Sequence, residues 1–168
     1  SPTLAGALAD PVLRPAALSV LGRSEGDPGA VEALLDALCD RSRASREAAI
    51  RSLVRARADA DPAAAEALSR RIREAAARCP ELVSSAIERL PEADLPTRLV
   101  LVQFLGLLGR PDAALPLLAA GADEALRQVA MTALQSLGDV AEHAIDEAWS
   151  ELPVDARRDA CALFAHTG

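Results

Sequence analysis

Lysine, asparagine and tyrosine are absent from this 168-residue chain, aromatic residues make up 2% of it, and it has three cysteines and two histidines. Each shortage excludes something. Sandwiches and barrels build their strands from β-branched and aromatic residues, so an all-β core is not expected. All 18 basic residues are arginine, and the accompanying alanine, glycine and proline bias is that of a GC-rich genome, which describes the host rather than the role. Cys39, Cys79 and Cys161 stand far apart, form no Cys-x-x-Cys pair and leave one over from any disulfide, so reduced thiols and a cytoplasmic setting are expected. The longest apolar stretch, 99–108, is broken by Gln103 and Gly106 and falls well short of the ~20 residues that span a bilayer, so no membrane association is expected. A net charge of -7 argues against nucleic acid as a partner, because phosphate neutralisation needs a positive surface.

What is abundant is equally plain. Alanine (38) and leucine (26), the two best apolar helix formers, occupy 64 positions, and 51% of residues are hydrophobic. This is an all-α composition with enough apolar surface for a core. The chain starts without Met and without a charged-then-apolar leader, so it reads as a piece of a longer protein whose neighbouring domains are expected partners.

A pattern recurs five times: Arg, then small or apolar residues at +3 and +4, then Leu or Phe at +7. It occurs as Arg14-Ala17-Leu18-Leu21, Arg46-Ala49-Ile50-Leu53, Arg98-Leu101-Val102-Leu105, Arg127-Ala130-Met131-Leu134 and Arg157-Ala160-Cys161-Phe164. That spacing makes each an amphipathic helix. Asp10, Ser42, Asp94 and Asp123, each four residues before its Arg, are expected N-caps, and Gly22, Gly109, Gly138 and Gly168 are expected C-terminal stops. Each of the first four is followed by a second helix, with stripes Val31-Leu34-Leu35-Leu38, Val83-Ala86-Ile87-Leu90, Leu115-Leu118-Ala119 and Ile145-Ala148-Trp149-Leu152. The residues 61–79, opening Asp61-Pro62 and carrying Leu68, Ile72, Ala76 and Cys79 on one face, read as an inserted helix. The helix after Asp94 has almost no polar face, and the inserted helix is the nearest candidate to cover it.

The segments running from Asp10-Pro11-Val12-Leu13-Arg14 to Leu21-Gly22-Arg23, and from Asp123 to Leu137-Gly138-Asp139, resemble the HEAT-like repeats of bacterial proteins, also called PBS-lyase repeats. The resemblance implies a right-handed α-solenoid of about four and a half helical hairpins, with repeats at 10–40, 41–92 (insertion 61–79), 93–121, 122–152 and an incomplete 153–168, treated as one domain over 1–168. It implies little about activity, since such repeats occur in scaffolds, chromophore lyases, hydroxylases and DNA glycosylases. The hydroxylases hold iron through repeated His-Glu pairs, which are missing here, and the glycosylases use a basic, aromatic-rich face. No cofactor or metal is expected.

Catalytic candidates weigh little. His143 and His166 converge with no other ligand, the cysteines fall at core positions, Trp149 falls on an apolar stripe, and neighbours such as Asp146-Glu147 point to different parts of a helix surface. Charge is the non-random feature. The first helices sum to +8 and the second helices, with their leading turns, to -14. In a HEAT-type solenoid the second helices line the concave side, which yields an acidic groove for a basic peptide or partner domain. Its candidate residues are Glu32, Asp36, Glu88, Asp146, Glu147 and Glu151, with an apolar centre at Leu117. The expected role is a non-enzymatic interaction module. The alternatives are a chromophore-lyase-like enzyme or accessory protein, and DNA binding through Arg41, Arg43, Arg46, Arg51, Arg55 and Arg57.

Overall fold

The structure, a computed structural model, describes residues 3–24 and 27–165, so His166 and Gly168 lie outside the described residues. Among those described the chain is all-helical, 79% helix with no strand. In chain order the helices are α1 (Leu4–Ala9), α2 (Arg14–Leu21), α3 (Pro28–Ala37), α4 (Arg43–Asp59), α5 (Pro62–Ala77), α6 (Glu81–Arg89), α7 (Leu95–Leu108), α8 (Ala114–Ala120), α9 (Glu124–Leu137), α10 (Asp139–Glu147) and α11 (Val154–Phe164). Short 3-10 turns, Pro111–Ala113 and Trp149–Glu151, precede α8 and follow α10. The chain divides into two compact units, Ser1–Leu82 and Val83–Gly168. In the first, α4 packs on α2, α3 and α5, and α5 also meets α3. In the second, α9 packs along α7 and against α8 and α10, while α8 also receives α10 and α11. No helix among the described residues is long and apolar enough to cross a membrane.

The local signals act where the spacing places them, except that Asp10 is not an N-cap and Gly22, which does end α2, does so without a left-handed turn. Ser42, Asp94 and Asp123 are N-caps whose side chains accept from the backbone N–H groups of Ser45, Thr97 and Ala125. Asp10 instead ends α1, and its carboxylate accepts from Val12 N in a turn that delays α2 to Arg14. Gly109 closes α7 at φ 64°, and Gly138 breaks the chain between α9 and α10 at φ 57°. Gly22 is an ordinary right-handed residue, and its reason is space: a Cβ there would overlap the Ser52 side chain on α4.

The recurring arginine reaches backward. A helix leaves its last carbonyls unpaired at the negative end of its dipole, and a guanidinium can satisfy them. Arg14 donates to Leu8 O, Arg46 to Asp40 O and Arg41 O, Arg98 to Leu90 O, Arg127 to Gly121 O, and Arg157 to Trp149 O and Ser150 O. Each acceptor lies in the end of the preceding helix or the turn after it. Two of these arginines also reach forward. Arg14 pairs with Asp40 at 2.9 Å and Arg98 with Asp123 at 3.1 Å. In both cases the other carboxylate oxygen holds the turn that starts the next helix, accepting from Ser42 N and Ala125 N respectively. Arg127 has its carbonyl bond but no carboxylate at ion-pair distance among the described residues, in keeping with Pro153 where the next repeat should carry an Asp. Replacing Arg98 with Ala should therefore cost about 1–2 kcal/mol in thermal unfolding followed by circular dichroism, because a charge-assisted bond and a partly screened ion pair are lost together. Arg127→Ala should cost less, and equal effects would contradict the forward tie.

Several expectations need correction. Cys39 and Cys79 are joined in a disulfide with Cα atoms 5.6 Å apart, which removes the argument from unpaired cysteines to a reducing compartment. Wide separation in sequence misled here, because α4 and α5 form a hairpin that returns the chain to the end of α3. Cys161 is exposed and free rather than in the core, since α11 turns Ala160 and Leu163 inward instead. The stripe of α8 is out of phase with its expectation. Ala119 is exposed, while Ala113, Ala114, Leu117 and Leu118 are buried, because the Pro111–Ala113 turn resets the helical phase. Of the residues on α7, Leu99, Val100 and Leu107 are half-buried and Gln103 is exposed, so a partly open stripe does exist. The apolar face of α5, with Ile72, Ala75 and Ala76 buried, is used against α3 and α4, and Arg57 donates to Ser69 across that contact.

Candidate functional site

The acidic candidates are carried by α3, α6, α10 and the turn after α10, and all six carboxylate residues are exposed. Leu117 is not. It is fully buried against the rest of the second unit and offers no apolar centre on a surface, because the reset phase of α8 turns it inward. Glu32 is engaged within its own unit by Arg71 of α5, which neutralises it. Asp36 and Glu88 lie near the ends of α3 and α6, and Asp146 and Glu147 near the end of α10. These positions matter, because a helix C-terminus carries the negative end of the dipole and disfavours carboxylates by about 0.3–1 kcal/mol each. Neither α3 nor α10 has a basic residue in its last turn to compensate. Asp139 and Glu142, in the first turn of α10, have the opposite and favourable placement.

Asp146, Glu147 and Glu151 are brought together by α10 and the turn that follows it. The helix starts at Gly138, whose positive φ lets the chain reverse from α9, and buries Ala141 and Ile145. The 3.6-residue period then divides the residues from 142 to 151 between two flanks. One flank, with Ala144, Glu147, Ala148 and Glu151, faces Pro111, Asp112 and Leu115 across an open groove of about 370 Å³. The other, with Glu142, Ile145, Asp146 and Trp149, meets Phe164 of α11 around a pocket of about 260 Å³. Trp149 is half-buried at the wall of this pocket rather than in the core. The Arg157 guanidinium lies 5.9 Å from the centroid of its ring, held there by Trp149 O and Ser150 O. His143 approaches Glu147 at 3.4 Å on the exposed surface.

Glu142, Asp112 and Phe164 escaped the sequence reading. Glu142, Asp146 and Trp149 share one helical face by their spacing of four and three, which is legible. Asp112 and Phe164 belong to other elements, and only packing brings them to α10.

Two arginines of α4 are tied into the fold, while Arg43 and Arg55 stay exposed. Arg46 holds carbonyls, Arg57 holds Ser69, and Arg43 and Arg55 each have a carboxylate one turn away, Glu47 and Asp59. No group of three or more His, Cys, Asp or Glu side chains among the described residues is arranged to hold a metal ion. No protein-family model and no curated protein matches this chain.

Proposed function

We propose that this chain is a non-enzymatic interaction module of HEAT-like repeats, stacked as an α-solenoid, that binds a basic peptide or partner domain through carboxylates on its second helices. The observation that carries the reading is the placement of Asp36, Asp146 and Glu147 near the C-termini of helices with no basic residue in the last turn. There they oppose the dipole, so helix stability does not account for them. The arginine device supports the repeat interpretation, since five arginines spaced as the repeats require make equivalent backward bonds. It also gives those five arginines a structural use.

A field of this kind steers encounter more than it holds the complex. Binding to Arg- or Lys-rich peptides should be weak and should fall steeply with added salt. Reversing Asp36 and Glu147 to Arg should slow association by roughly tenfold at low ionic strength and change dissociation much less. Stopped-flow anisotropy with a labelled peptide separates the two rates. An unchanged association rate would remove the charge argument.

A further inference from the structure

The pocket between α10 and α11 combines features that the rest of the acidic surface lacks. Its walls are Glu142 and Asp146, one turn apart on the same helical face, with Ile145, Trp149 and Phe164. At about 260 Å³ it has room for one long side chain and not for a helix or strand. We propose that it is the specificity pocket of this module and receives a single arginine side chain of the partner, an inference that rests on the basic-partner reading above.

The choice of arginine follows from the walls. A lysine ammonium is a compact, strongly hydrated charge that gains little from flat apolar surfaces. A guanidinium is planar and weakly hydrated, so it can lie against aromatic rings while its edge donates to carboxylates. The pocket presents both kinds of surface within the reach of one side chain. Trp149 already accepts one guanidinium inside the protein, that of Arg157, 5.9 Å from its ring centroid. Arg157 is not among the residues that line the cavity, so it does not fill it. The flank bearing Glu147 and Glu151 has carboxylates but no aromatic wall, and should attract arginine and lysine alike.

The test uses two unlabelled twelve-residue peptides of equal charge, six Arg-Gly and six Lys-Gly repeats, titrated into the whole chain. The emission of Trp149, the one tryptophan in the sequence, serves as the readout beside calorimetry. The arginine peptide should bind about tenfold more tightly than the lysine peptide and should shift the Trp149 emission. In the double variant Glu142→Gln/Asp146→Asn that preference should collapse. In Glu147→Gln/Glu151→Gln both peptides should weaken equally and the preference should survive. All four replacements are exposed and nearly isosteric, and their melting curves check that the fold is kept. Equal binding of the two peptides by the unmodified protein, or a preference that outlasts Glu142→Gln/Asp146→Asn, overturns the pocket while leaving the acidic surface standing. Failure of both peptides to bind overturns both readings.

Discussion

Replacing Cys39 and Cys79 with serine is expected to lower the stability of the first unit by about 4 kcal/mol, the cost of releasing a covalent loop of this length in the unfolded chain. The bridge joins positions 40 residues apart in sequence and encloses the whole of α4 and α5. It closes at the two places where that hairpin meets α3: the turn just after Ala37 and the turn just after Ala77. Without it, α5 is held by the burial of Ser69, Ile72, Ala75 and Ala76, by the Arg57 bond to Ser69 and by the Arg71 pair with Glu32. Urea unfolding with and without a reductant measures the effect, and amide exchange in α3 and α5 locates it. One thiol should react in the unfolded oxidised protein and three after reduction. Cys161→Ser should be neutral, because that thiol is exposed and unpaired. Coincident unfolding curves for the oxidised and reduced proteins would show that the bridge does not constrain this unit.

Gly106→Val should cost about 3 kcal/mol, near the upper end for overpacking a close contact. Gly106 is buried on α7, and a Cβ there would stand 2.8 Å from the Ala133 Cβ and 3.0 Å from its Cα on α9. Backbone cannot yield as the tip of a long side chain can, so the two helices would have to separate along their shared face. Gly106→Ala poses a finer question. Alanine gains about 1 kcal/mol in helix propensity over glycine, yet the close approach should more than offset it. Pairing it with Ala133→Gly should recover the packing part of the loss. If Gly106→Ala alone stabilises the protein, the approach of α7 to α9 is looser than these distances require.

The same lesson recurs in the first unit, where Gly22 lies against Ser52 and the Ser52 hydroxyl donates to Leu18 O of α2. Both glycines were visible in the sequence, but for other reasons. Gly22 reads as a stop signal and Gly106 as an interruption of an apolar run. A close helix crossing involves a residue far along the chain, and no local pattern records which residue that is.

The sequence by itself determined the all-helical fold, the caps at Ser42, Asp94 and Asp123, the breaks at Gly109 and Gly138, and the buried stripes of α2, α4 and α7. All of these depend on interactions within about one helical turn, or on a periodicity that repeats along a single helix. Tertiary structure decided the rest: the pairing of Cys39 with Cys79, the inward turn of Leu117, the outward turn of Cys161, and the meeting of Glu142, Asp146 and Trp149 with Phe164. The phase of a seven-residue helix such as α8 is set by the turn before it and the neighbours it meets, because two turns carry too few apolar positions to define a face. Charge shows the division most clearly. The excess of carboxylates over 24–40, 80–94, 111–122 and 139–152 is a property of the sequence, whereas the pairing of Glu32 with Arg71 and the separation of the α10 carboxylates into a groove and a pocket arise only when distant helices pack together.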